Sequence, residues 1–299
     1  MSQTLSQEKL SQENRQRQQN PSHESCENCG HVGLVAFEIE TDHELLFCKE
    51  CLLYQKSVLP FRDSCEADFH RPYPRRRDSK IVTGLVRLNA LTKYIETDHV
   101  KMLDIGCSAG ATLAAAERLG WQATGVDVSE TAVEASRRIG LDCHTITDHR
   151  LPFEDDCFDV VTSWHVIEHV TDVRQTLTEW MRVVKPGGIL ALETPDSQCW
   201  KARWQGARYQ KFWPKEHLYT FTRSNMCSLL EQVGFEVLPS RIMGSPNTLP
   251  FKVSAYAAAY RSWRQLNRKL RFCKSIEVCC RKPLENVSDA RLQPAKAAA

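Results

Sequence analysis

Hydrophobic residues in this chain arrive in two rhythms. Short dense runs at Lys101–Ile105, Ala123–Asp127, Leu141–Thr147, Phe158–Ser163, Ile189–Thr194 and Ser275–Arg281 read as strands. Elsewhere apolar positions recur at helical spacing: Ile81, Leu85, Leu88 and Ile95; then Val173, Leu177, Trp180, Met181 and Val184; then Met226, Leu229, Leu230 and Val233. Punctuation agrees with this reading. Lys185-Pro186-Gly187-Gly188 stops the second helix, and Thr222 and Gly234 cap and end the third. Strands alternating with helices predict an α/β domain built on a parallel sheet.

The stretch Lys101–Glu130, KMLDIGCSAGATLAAAERLGWQATGVDVSE, condenses that pattern into strand, glycine turn, helix, strand and terminal acid. This is half of a nucleotide-binding α/β unit. A dinucleotide fingerprint needs glycine at the first, third and sixth turn positions, which here are Gly106, Ser108 and Ala111. The glycines present, Gly106 and Gly110, instead resemble motif I of the class I S-adenosylmethionine methyltransferases. From Ile81 to Lys282 the order and wording, including LPFEDDCFDVVTSWHVIEHV and KPGGILALETPD, are similar to the ubiquinone-biosynthesis O-methyltransferase-like branch of that class. The resemblance implies a Rossmann-like fold with a seven-stranded, mostly parallel sheet, and S-adenosylmethionine as cofactor. It implies Asp104 facing the amino-acid end of that cofactor, Asp127 accepting the ribose hydroxyls and Asp148 touching the adenine. Gly106, Cys107, Ser108, Gly110, Val128, His149 and Trp164 would complete the pocket.

A second signal stands before this domain. Cys26-Glu27-Asn28-Cys29 and Cys48-Lys49-Glu50-Cys51 are two Cys-x-x-Cys pairs eighteen residues apart. That spacing matches a four-thiolate zinc ribbon, with the apolar segments Val32–Ile39 and Glu44–Phe47 as the hairpin between the knuckles. Four thiolates leave no open coordination position, so the zinc is expected to be structural. A ribbon ahead of a methyltransferase domain resembles bacterial sugar C-methyltransferases. In that group the connector after the ribbon covers the substrate pocket. Here Phe69, His70 and Tyr73 could do so, or could pack ribbon on domain.

The chain after the fourth strand, Ser163-Trp164-His165-Val166-Ile167-Glu168-His169, is where acceptors meet the methyl group in this fold. The Asn/Asp/Ser-Pro-Pro-aromatic motif of amine-directed enzymes is missing, and so is a Pro-Cys nucleophile. His165 and His169 would share a face if this segment were helical, and either could deprotonate a hydroxyl. Glu168 could orient a histidine or, with His169, hold a divalent cation. His217, between the fifth strand and the next helix, is the third candidate base.

Composition changes little. The 299 residues suit one catalytic domain with a small appendage, and a net charge of +2 gives no global reason to invoke nucleic acid. Thirteen cysteines argue for a reducing cytoplasm, and no run approaches a transmembrane span. The expected organisation is a disordered tail (1–24), the ribbon (25–58), a connector (59–80), the methyltransferase domain (81–283) and a flexible tail (284–299). Within the domain, 251–272 carries Tyr256, Tyr260, Trp263, Leu266 and Leu270 on one stripe among Arg and Lys. This inserted helix could contact an anionic membrane or RNA, or pack on its own domain. The expected activity is methyl transfer to a small molecule, a sugar intermediate or quinone-like precursor. RNA or protein methylation, or cofactor binding without catalysis, are the alternatives.

Overall fold

The computed structural model describes residues 25–38, 44–56, 77–147, 149–205, 209, 217–239, 262 and 275–284. Strands β4 (Lys101–Ile105), β5 (Gln122–Asp127), β6 (Asp142–Thr145), β7 (Phe158–Trp164), β8 (Val184–Pro195), β10 (Glu236–Val237) and β11 (Ser275–Arg281) form one seven-stranded sheet. Their spatial order is β10-β11-β8-β7-β4-β5-β6. Ladders from β6 to β8 are parallel, while β11 runs antiparallel to both β8 and β10. The order reverses between β4 and β7, the switch point where open α/β sheets hold their ligands. The expected Rossmann-like architecture is present.

Two apolar layers sandwich the sheet. On one face α1 (Arg77–Leu91) and α2 (Ala111–Arg118) cover Met102, Val160, Ile189 and Ala191. On the other, α4 (Val173–Val183) and α6 (Arg223–Val233) cover Leu103, Val161, Leu190 and Leu192. The alternation of odd and even positions along β8 between these layers is the period of a strand buried on both sides. Leu177 and Leu230 are fully buried, and truncating either to alanine is expected to cost about 2–5 kcal/mol.

Several boundaries move from their sequence-predicted places. The first helix starts at Arg77 and ends at Leu91, and a 3-10 turn (Thr92–Tyr94) follows, so Ile95 lies beyond it with extended backbone. Val184 does not end a helix but begins β8. The strand runs straight through Pro186-Gly187-Gly188, with a register irregularity against β7 and a positive φ of 80° at Gly187. The third strand is shorter than expected, Asp142–Thr145.

The N-terminal module is a small antiparallel sheet, β1 (Val35–Glu38), β2 (Glu44–Phe47) and β3 (Tyr54–Lys56). The Val32–Ile39 segment thus contributes a four-residue strand. A fourth strand, β9 (Tyr219–Thr220), comes from the main domain and pairs with β3. Cys26, Cys48 and Leu53 belong to the same buried cluster as Leu177, Leu218 and Leu230, so the module shares the main core. The connector 59–76, residue Asp148 and the expected helix 251–272 (save Ser262) lie outside the described residues. No helix among the described residues is long and apolar enough to cross a membrane.

Candidate functional site

β4 delivers the chain into a turn with three left-handed residues, Gly106 (φ 75°), Ser108 (φ 48°) and Gly110 (φ 70°), and α2 (Ala111–Arg118) starts from Gly110. A Cβ on Gly106 would lie 2.3 Å from Val166 Cγ2, and one on Gly110 would lie 2.3 Å from Leu141 Cδ1. Only glycine fits both the dihedral and the space. Asp127, at the end of β5, accepts the Ser108 amide at Oδ2 (2.8 Å) and the Ser129 amide at Oδ1 (2.9 Å). Two backbone donors hold this carboxylate in one orientation, and each oxygen keeps a lone pair for a ligand. Asp104 is 1 % exposed and accepts Thr162 Oγ1 at 2.6 Å. Burial raises its carboxyl to about 7 against the opposing pull of its threonine hydrogen bonds.

The neighbouring strand delivers the second half. Ile105 and Ser163 are register partners, so the turn after β4 and the chain leaving β7 emerge side by side. His165 carries a φ of 61°, costly for a residue with a Cβ. Its amide donates to the Glu193 carbonyl (2.8 Å), and its Nδ1 lies 3.0 Å from Glu168 Oε1. The other Glu168 oxygen accepts Thr194 Oγ1 at 3.0 Å. Burial works to raise the Glu168 carboxyl, but the hydrogen bond and charge of His165, with that of His169, outweigh it and leave it below its usual value. His165 Nε2 stands 3.8 Å from Glu193 Oε1. Glu193 is 3 % exposed, paired with the Arg87 guanidinium and bonded by Ser275 Oγ. That guanidinium lies 4.4 Å over the Trp164 ring.

The segment is not a helix as far as His165, so the two histidines expected on one face part company. A 3-10 turn, Ile167–His169, carries His169 instead toward His217, their rings 4.8 Å apart and edge to face. Ligand atoms of Glu168, His169 and His217 all fall within 4.8 Å of one another. Of the other predicted pocket residues, Val128 is exposed, and His149 Nε2 contacts Thr171 Oγ1 at 3.1 Å. The Cys107 side chain turns inward, its Sγ 4.0 Å from Cys143 Sγ, leaving its backbone to shape the turn. Glu193 and Arg87 carried no motif in the sequence; they reach His165 and Trp164 through sheet register and the packing of α1.

The residues present suit S-adenosylmethionine. The glycine turn is pressed against Val166 and Leu141 where any Cβ would intrude, which brings it beside the chain leaving β7, and the donor set pairs a carboxyl (Asp104) with a doubly held carboxylate (Asp127). Trp164 Nε1 and Ser163 Oγ are buried at the strand end without a hydrogen-bond partner among the described residues, which is what a ligand would supply. The four cysteines also converge. Cys26 Sγ and Cys51 Sγ are 3.4 Å apart, Cys29 Sγ and Cys48 Sγ 3.6 Å, and all four lie within 4.8 Å. A zinc tetrahedron with bonds of about 2.3 Å has edges of about 3.8 Å, so these thiols could close around one ion with small adjustments.

A family model described as "Methyltransferase domain" matches residues 71–240. The ubiquinone biosynthesis O-methyltransferase of Bartonella tribocorum is 29% identical over 163 residues, covering 48% of this chain and 66% of that protein. Its namesake from Rhodopseudomonas palustris is 31% identical over 160 residues, covering 47% and 63%. The chain thus spans just under two thirds of the length of these curated relatives. Among solved structures, an S-adenosylmethionine dependent methyltransferase from Mesorhizobium loti has a similar fold, with a TM-score of 0.50 at 17% identity, covering 67% of this chain and 99% of that one.

Proposed function

This chain belongs to the methyltransferase-domain family, and we propose that it transfers the methyl group of S-adenosylmethionine to a hydroxyl of a small acceptor. The relatives named for ubiquinone biosynthesis favour a quinone-like precursor over a sugar intermediate. One observation carries the reading: Val166, next to His165, packs where a Cβ on Gly106 would sit, so the cofactor turn and the histidine turn meet at the sheet's switch point.

The cofactor brings a sulfonium methyl already activated for in-line displacement, so the protein's work is positioning and proton removal. Asp104 would face the cofactor's ammonium, and Asp127 would accept its ribose hydroxyls. Gly106 and Gly110 let the turn close against Val166 and Leu141 while its backbone rims the cofactor end. His165 takes the acceptor proton. An ionised Glu168 can only accept, so it holds the proton on Nδ1 and leaves the Nε2 lone pair toward the acceptor. Asp148, outside the described residues, stays a proposed adenine contact. The four thiolates of Cys26, Cys29, Cys48 and Cys51 would hold a structural zinc.

A second reading rests on the Glu168, His169 and His217 cluster, whose ligand atoms suit a divalent cation that would polarise the acceptor hydroxyl. The two readings part on His165→Ala and His217→Ala. The first should cut transfer by about 10²–10⁴-fold if His165 is the base, and the second should do so if a cation is required.

The test is transfer of label from methyl-labelled S-adenosylmethionine into an extract separated into lipid, sugar-nucleotide, RNA and protein fractions, with Asp127→Ala as control. Label in the lipid-precursor fraction, absent with the control, is the expected result. Label confined to RNA or protein would overturn the acceptor assignment, and binding without label anywhere would favour a non-catalytic role.

A further inference from the structure

The ribbon is wired into the acceptor end of the site. β9 pairs with β3 on the ribbon side, while the next residue, Phe221, is bridged to Asp196 and accepts the Ser197 amide (2.9 Å) in the main domain, so the strand lies between the two. Leu218, just before β9, connects both sides through its own peptide groups. Its carbonyl accepts the Lys56 amide of the ribbon (3.0 Å), and its amide donates to the Glu168 carbonyl (2.7 Å). His217 is the preceding residue and His169 follows Glu168, so this connection holds together the two segments that carry the paired rings. Tyr219 adds a second tie, its ring buried and its hydroxyl donating to the Thr171 carbonyl at 3.3 Å.

The other side of the ribbon is anchored as firmly. Arg174 of α4 donates through Nε to the Glu27 carbonyl (3.1 Å) and through Nη2 to the Asn28 carbonyl, both in the first cysteine knuckle. Asn225, in the capping box of α6, donates to the Cys51 carbonyl of the second knuckle at 3.3 Å. Gln55 of β3 ties that strand to the first knuckle, accepting the Glu27 amide (3.1 Å) and donating to the Ser25 carbonyl (3.2 Å). Knuckle geometry therefore bears on β3, β3 on β9 and Leu218, and Leu218 on the turn that bears Glu168 and His169, with Phe221 held from the far side by Asp196 and Ser197.

We infer that the four-thiolate ribbon is an in-cis clamp: closing Cys26, Cys29, Cys48 and Cys51 around zinc holds 217–220 against the Ile167–His169 turn and so positions the acceptor-side histidines. The cofactor half does not depend on it, because Gly106–Gly110, Asp104 and Asp127 take their support from β4, β5 and β7. The inference rests on the reading of the cysteines as a zinc site and of this cleft as the acceptor end.

Hydrogen exchange on the full chain, zinc-loaded and chelator-stripped, tests it together with calorimetric titration of S-adenosylmethionine. Zinc removal is expected to speed exchange in 217–220 and 165–171 by roughly tenfold or more, while 101–127 stays protected and cofactor affinity holds. Lys56→Pro, which deletes the donor to Leu218, should reproduce the change while the cysteines still bind cobalt with the charge-transfer absorption of thiolates. Unchanged protection at 217–220 in either sample would overturn the clamp. So would equal loss through 101–127, which would make the ribbon a folding unit. If the zinc-loaded chain fails to bind S-adenosylmethionine, the methyltransferase reading falls, whereas the exchange pattern still decides the clamp.

Discussion

Two turns at the carboxyl ends of neighbouring strands meet the same backbone demand in opposite ways. After β4, left-handed dihedrals fall mainly on glycines, Gly106 and Gly110, and the missing side chains let Val166 and Leu141 close against the turn. After β7 the left-handed residue is His165, and its side chain is the useful product. A non-glycine residue there costs of the order of 1–2 kcal/mol, offset by the bonds from its amide to Glu193 and from its ring to Glu168. One turn is designed around absence and the other around a side chain held in place. Strain persists where the chemistry needs the group that causes it.

The contrast breaks hardest at His165. Replacing it with alanine should lower kcat by about 10²–10⁴-fold while leaving S-adenosylmethionine affinity as it was, because the ring serves only the acceptor half. Equal losses in turnover and in cofactor affinity would mean that the two turns are not separable. On the glycine side, Gly106→Ala should act the other way round. The φ of 75° and the 2.3 Å approach to Val166 strain the free protein itself, so the variant should lose about 2–4 kcal/mol of stability, read as a lower Tm, with cofactor affinity falling as the turn distorts. Asp127→Ala should cost less, about ten- to a hundredfold in cofactor affinity by titration, since it removes charge-assisted bonds and clashes with nothing.

The same contrast explains what could be read from the chain. Strand and helix order was legible because period is local, and the cofactor turn because glycines four positions apart at a strand end have few other uses. The cysteine cluster was legible for a similar reason, as thiol spacing is itself the geometry. The acceptor end was not. A helical reading of 165–169 put His165 and His169 on one face, but the left-handed step at His165 turns that ring to Glu168 and leaves His169 to meet His217. Glu193 sits in an ordinary strand sequence, ALETP, and matters only because its register partner in β7 is Trp164. Nothing in two residues, Tyr219-Thr220, announces pairing with a strand more than 160 positions earlier.

Asp104 sharpens the comparison by the smallest expected effect, since it lies on the cofactor side yet depends on pH as the acceptor side should. Its folded carboxyl is raised from 3.8 to about 7 by burial. In the free protein the group is therefore mostly protonated below about 7, and a neutral carboxyl cannot pair with the cofactor's ammonium. A bound cation favours the charged form and pulls the value down, so binding in that window must release a proton. The sign follows: affinity for S-adenosylmethionine should be flat above about pH 7 and fall by up to tenfold for each unit below it. Calorimetry across that range in two buffers of different ionisation enthalpy would read both the slope and the released proton. Asp104→Asn should flatten the profile at a lower affinity. If the slope survives in the asparagine variant, the titrating group lies elsewhere, and the pH dependence belongs to the histidine turn after all.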